Sequence, residues 1–186
     1  MALKAVIIGG GVVGCITAIK LKENGYDVTL VDKSFVGEES SAAGAGIIFP
    51  LMPWNYESRV FDLCIGALSF YKNLSIKLIK AGFEDPEFIE SGMICIDPSD
   101  KKKIVQWGEK NNFTIKEYLF NNRPSYELAK VAQINPTKLM KSLKQYISRL
   151  GIELIENVNM RKIEKKSNYL DGWPTKNNEL IKGDFF

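Results

Sequence analysis

An α/β fold with a doubly wound, mostly parallel sheet is predicted by three observations. A continuous apolar run, Ala5-Val6-Ile7-Ile8, leads straight into Gly9, Gly10, Gly11 and Gly14. A helical period follows at Val12, Ile16 and Ile19, and a second strand, Tyr26-Asp27-Val28-Thr29-Leu30-Val31, ends at an acid, Asp32. Much later an amphipathic stretch after Asn135 runs into Ile152-Glu153-Leu154-Ile155-Glu156, which reads as another strand of the same sheet. Strands that alternate with helices pack as a parallel sheet with helices on its faces.

Each early element has a local cause. Ala5–Ile8 lacks polar alternation, as befits a strand buried on both faces. Gly9 lets the chain turn tightly out of that strand, and Gly11 leaves room for a pyrophosphate to approach the backbone. Gly14 lets the helix lie close to the sheet. The start of the helix offers free N–H groups and a partial positive charge to phosphate. Gly25 ends the helix as a left-handed cap. Asp32 lies 18 residues beyond Gly14, where a carboxylate accepts hydrogen bonds from an adenosine ribose. Together these features predict a dinucleotide site; a glycine turn that only packs would not account for the acid.

The segment after Asp32 is unusual. Residues 37–50 read G-E-E-S-S-A-A-G-A-G-I-I-F-P. Small side chains let the backbone approach a large flat ligand, and Ser40 and Ser41 can donate to phosphate. A flexible linker is the other reading, but the segment ends in an apolar run, Ile47 to Leu51, that water would not favour.

The rest of the chain follows in order. One amphipathic helix is expected over 57–81, facing inward through Val60, Cys64, Ala67, Tyr71, Leu74 and Leu78 and closed by Gly82. A strand is expected over 88–97 and a short helix over 99–111, whereas 112–134 has no clear period. Asn135 caps a helix with Pro136 at its first position, Leu139, Leu143, Ile147 and Leu150 on its inner face, and Gly151 at its end. Residues 158–166, 168–173 and 179–182 read as a small β-meander with turns at Asp171-Gly172 and Asn177-Asn178.

Composition narrows the function. The chain has 186 residues, 45% of them apolar, and a net charge of +3 of mixed sign, which gives no nucleic-acid footprint. It contains no histidine, which excludes Ser-His-Asp and Cys-His chemistry. Cys15, Cys64 and Cys95 are widely spaced and form no CxxC pair, so neither a metal site nor a disulfide framework is indicated and a reducing cytoplasm is expected. No stretch reads as a signal peptide or a membrane span.

The glycine fingerprint followed by S-S-A-A-G-A-G-I-I-F-P-L-M-P-W resembles the FAD-dependent D-amino-acid oxidase superfamily, in particular its glycine oxidase (ThiO-type) branch. Phe88 to Asp97 resembles the strand that opens the family's substrate domain, and Gln133-Ile134-Asn135-Pro136 its return to the FAD domain. The resemblance covers the chain but only the N-terminal half of such an enzyme. It implies an FAD-binding, Rossmann-like domain from residues 1–82 and 135–186 and part of an α+β substrate domain from 83–134, in a truncated molecule. The family's substrate-binding arginine would lie beyond residue 186, and a second chain could complete the fold. Ala5–Ile8 would then be an open sheet edge.

The resemblance also implies roles. The backbones of Val12 and Val13 would meet the pyrophosphate, with Asp32 and Lys33 at the adenosine ribose. Ser40 and Ser41 would hold phosphate, and Ala45, Gly46 and Ile47 would approach the flavin. The Met160 backbone would meet the adenine. No residue of the chain inherits a catalytic role. The implied reaction is oxidation of a small amino acid or amine to its imine by hydride transfer to flavin N5. A catalytically inactive FAD-binding fragment, a subunit of a split enzyme and an NAD(P)-binding protein remain the alternatives.

Overall fold

In a computed structural model of the protein, residues 2–96, 98–161 and 172–186 are described. In chain order the elements begin with β1 (Lys4–Ile8), α1 (Val12–Glu23), β2 (Asp27–Val31), β3 (Ile47–Ile48), α2 (Ser58–Cys64), α3 (Ala67–Lys80), β4 (Met93–Ile96) and α4 (Lys101–Lys110). They continue with β5 (Ile115–Phe120), β6 (Arg123–Leu128), β7 (Ala132–Gln133), α5 (Pro136–Arg149), β8 (Glu153–Ile155), β9 (Trp173–Pro174) and β10 (Leu180–Ile181). They fall into two compact units. Unit 1 comprises Met1–Gly44, Lys80–Glu84 and Pro136–Phe186, and unit 2 comprises Ala45–Ile79 and Asp85–Asn135.

Unit 1 holds a parallel sheet in the order β1-β2-β8. Lys4 to Ile8 pair in register with Asp27 to Val31, and Thr29 to Val31 with Glu153 to Ile155. Val6, Val28, Leu30 and Val31 are fully buried, which explains their unbroken apolar runs. The outer edge of β1 is engaged at its start: Val6 N donates to Phe185 O at 2.8 Å and Asp184 N to Lys4 O at 2.7 Å. The open edge expected along Ala5–Ile8 is therefore covered at Ala5 and Val6.

The inner face of α1 is Cys15, Ala18 and Ile19 rather than Val12, Ile16 and Ile19. This helix is apolar on most sides, so its period alone left the facing stripe ambiguous. Gly25, with φ +86°, ends it as expected. On α5, Leu139, Met140, Leu143 and Ile147 are buried, and Gly151 follows with φ +68°. Beyond β8, Met160 forms an antiparallel bridge with Thr175, and β9 pairs with β10 around a turn at Asn178, φ +67°. The rest of the expected meander, 162–171 with Asp171 of its first turn, lies outside the described residues.

Unit 2 contains an antiparallel sheet in the order β4-β6-β5. The strand expected over 88–97 is β4, preceded by a bridge from Ile89 to Gln133; Asp97 lies outside the described residues. The aperiodic stretch holds the β5–β6 hairpin, turned by Asn121 and Asn122 with φ of +49° and +60°. Two consecutive left-handed residues make a tight hairpin turn, and asparagine tolerates that geometry. The single helix expected over 57–81 is two, broken at Ile65 and Gly66. Phe61, not Val60, is the buried residue of α2, because its ring packs edge-on against Trp107 at 5.1 Å. Trp107 also meets the rings of Phe49, Trp54 and Phe113, so aromatic packing rather than helical period orients α2.

Candidate functional site

The turn after β1 is shaped by glycine. Gly9 has φ +108°, and its N–H donates to Val31 O at 2.8 Å, locking the turn to the end of β2. A Cβ on Gly14 would lie 1.8 Å from Gly9 O, so α1 sits closer to the turn than any side chain permits. Gly11 is the N-cap of α1 and offers no side chain to its free amides. Ser41 supplies one: its Oγ accepts from Val12 N at 2.9 Å. A Cβ on Gly11 would stand 2.9 Å from that hydroxyl, so a larger residue there would push the Ser41 side chain aside.

Asp32 organises the opposite side. Its Oδ2 accepts from Gly10 N at 2.5 Å and its Oδ1 from Ser34 N at 2.8 Å. The Ser34 hydroxyl stands 3.1 Å from Asp32 Oδ1 and 2.9 Å from Glu39 Oε1, between the two acids. Lys33 Nζ pairs with Glu39 Oε2 at 3.0 Å. The hydrogen bond from Lys33, aided by Ser34, holds the Glu39 carboxyl below its ordinary range. Underneath, burial and the negative charge of Asp32 push the Cys15 thiol up to about 12. It is a protonated packing group whose Sγ lies 3.4 Å from Gly10 O.

These elements enclose a cleft of about 390 Å³ within unit 1. Gly9, Gly11, Asp32, Lys33, Ser40, Ser41 and Met160 all line it. Met160 is brought there by its own segment: Val158 N donates to Asp32 O at 3.0 Å and Asn157 N to Ser34 O at 3.3 Å. Val12, Val13 and Gly14 are not among the lining residues: the Val12 amide donates to Ser41 Oγ, Gly14 packs close to the turn, and Val13 is 75% exposed. Ala45, Gly46 and Ile47 are not among the lining residues and belong to unit 2. There Gly46, φ +71°, accepts from Ile134 N, and Ile47 pairs with Gln133.

The cleft also contains Phe35, Glu39, Val158 and Asn159, which sequence reasoning did not single out. Phe35 had one legible signal, as the only aromatic residue in a loop of small and charged ones. Val158 and Asn159 had none, because only tertiary hydrogen bonds bring them to β2.

The donor set suits a dinucleotide: a glycine turn at a helix start, a hydroxyl beside the first amide and a carboxylate past the second strand. Fold and site together define a Rossmann-like, dinucleotide-binding α/β protein. Residues 4–180 match the model of the FAD dependent oxidoreductase family, DAO, and the chain belongs to that family. It is 29% identical over 197 residues to a glycine oxidase of Pseudomonas aeruginosa, covering 99% of this chain and 54% of that protein. With a glycine oxidase of Pseudomonas putida it shares 31% identity over 156 residues, 77% of this chain and 43% of the relative. The solved glycine oxidase of Bacillus cereus superposes with a TM-score of 0.82 at 22% identity, covering 98% of this chain and 54% of that one. The chain thus spans about half the length of the curated relatives it matches. Among the described residues no helix is long and apolar enough to cross a membrane.

Proposed function

We propose that the unit 1 cleft binds the adenosine diphosphate part of FAD, and that the chain serves a glycine oxidase-like oxidation of a small amino acid or amine. The observation that carries the reading is the convergence of Gly9, Gly11, Ser41 and Asp32 on one cleft. Residues 1–82 and 135–186 are assigned to the cofactor and 83–134 to part of the substrate domain.

The roles of the chain's residues follow from their atoms. The turn and the start of α1 take the pyrophosphate: its oxygens can accept from the amides there, with Ser41 Oγ already beside Val12 N. Ser40, on the same wall, adds a second hydroxyl donor. The Asp32 carboxylate accepts from ribose hydroxyls while the amides of Gly10 and Ser34 hold it in place. Glu39 pairs with Lys33 and offsets its charge. Ala45 to Ile47 are assigned to the flavin ring. Bound FAD would supply the two-electron acceptor, taking hydride from the substrate Cα and leaving an imine. No arginine of residues 1–186 is assigned to the substrate carboxylate, so the chain by itself is not proposed to turn substrate over. A reducing cytoplasm is proposed from the wide spacing of Cys15, Cys64 and Cys95 in the sequence.

Equilibrium titration of the purified chain with FAD and with NAD tests this reading. FAD is expected to bind more tightly, with a change in flavin fluorescence. Binding of NAD without binding of FAD refutes it. Sustained, saturable peroxide production from glycine, sarcosine or D-alanine by the 186-residue chain plus FAD would refute the division of labour.

A further inference from the structure

We propose that Phe35 forms an aromatic wall on which the adenine base of the bound dinucleotide stacks, making it a base-stacking residue of this cleft. The inference rests on the dinucleotide reading above and goes on to assign a residue that reading leaves without a role.

An adenosine diphosphate would lie in a fixed order along the cleft. The pyrophosphate belongs at the Gly9–Gly11 turn and the start of α1, and the ribose belongs at Asp32. In an adenosine diphosphate the base lies beyond the ribose, away from the phosphates. Phe35 is three residues past Asp32 and still lines the same cleft, together with Asn159 and Met160. The backbone bonds from Asn157 and Val158 tie that second segment to Ser34 and Asp32, so both walls are anchored at the ribose end.

The ring is presented rather than stored. It is 45% exposed, although its neighbour Val36 is buried. Val36 N donates to Glu156 Oε1 at 2.7 Å, and Lys144 Nζ donates to the same oxygen at 2.6 Å. Lys144 Nζ also lies over the Phe35 ring, 5.4 Å from its centroid. One carboxylate thus fixes both the backbone beside Phe35 and the cation that holds its ring. A ring held in this way loses little freedom when a ligand arrives. A partly exposed phenyl in a nucleotide cleft is a stacking platform that no amide or hydroxyl there can replace.

The test uses the 186-residue chain and Phe35→Ala, Phe35→Leu and Phe35→Trp variants, with folding checked by circular dichroism. ADP and FAD affinities are measured by calorimetry, and stacking by the emission of 1,N6-etheno-ADP. Phe35→Ala is expected to weaken both ligands about tenfold or more, with Phe35→Trp near wild type. Phe35→Leu, which keeps apolar bulk without a π face, is expected to resemble alanine and to lose the etheno-adenine quenching. Unchanged affinity in Phe35→Ala, or full recovery in Phe35→Leu, overturns the stacking role and leaves the dinucleotide site standing. Failure of the wild-type chain to bind either ADP or FAD overturns both.

Discussion

Replacing Gly14 by alanine adds a single methyl group at the point where α1 passes closest to the glycine turn. The new Cβ would stand 1.8 Å from Gly9 O and 3.0 Å from Gly9 C. An ordinary carbon–oxygen contact is about 3.3 Å, so the two segments must part by roughly 1.5 Å. Neither atom can rotate away. Gly9 O is backbone in a turn whose N–H is bonded to Val31 O, and the Cβ is fixed to the first turns of α1. Crowding of this kind costs about 2–3 kcal/mol, a substantial part of the roughly 5–15 kcal/mol that holds a domain together. For a chain of this size the midpoint of thermal unfolding should fall by about 4–12 °C. Displacement of α1 also separates Val12 N from Ser41, so FAD binding should weaken in parallel. Urea unfolding followed by circular dichroism, with FAD titration on the same preparations, measures both effects. Gly25→Ala is the control: its φ is +86°, but a Cβ there meets nothing within 4 Å. It should lose only the roughly 1–2 kcal/mol of left-handed strain and keep flavin affinity. If Gly14→Ala unfolds within about 0.5 kcal/mol of wild type and binds FAD normally, the close-packing argument is wrong.

Other expectations follow from the same geometry. Gly11→Val should drive the Ser41 hydroxyl off Val12 N and abolish flavin binding while the chain still folds, as calorimetry and circular dichroism will report. Asp32→Ala should weaken FAD by about 1–3 kcal/mol, the usual cost of a lost hydrogen bond to a charged group. Ser41→Ala should weaken FAD less, because it removes one cap of the helix start, worth about 1 kcal/mol in stability. Burial acts to raise the pKa of Glu156, but hydrogen bonds from Lys144 and the Val36 amide outweigh it and hold the carboxyl below its ordinary 4.5. A lowered folded pKa means that its stabilisation is complete above 4.5 and is lost as pH falls through the folded value. Urea midpoints measured from pH 6 down to about pH 3 should therefore fall less steeply in Glu156→Gln than in wild type; identical slopes would remove Glu156 from the account.

Much of unit 1 was legible because its causes are local. Apolar runs unbroken by polar residues mark strands with both faces buried, and the sheet pairs them in the expected parallel sense. Positive φ at Gly9, Gly25 and Gly151 is a demand that the residue type itself announces. The spacing from Gly14 to Asp32 is set by the length of one helix and one strand, so it survives as a pattern in the sequence. What the sequence left open is decided by partners distant along the chain. The inner stripe of α1 depends on packing against β1, β2 and α5, because a helix that is apolar on most sides has no single preferred face of its own. The burial of Phe61 depends on Trp107, 46 residues later. The arrival of Asn159 and Met160 at the cleft depends on backbone bonds to Ser34 and Asp32, which no side-chain pattern encodes. Local conformation is a property of the residue and its neighbours; the choice of face, and of which distant backbone completes the cleft, is made only when burial and hydrogen bonding are satisfied together.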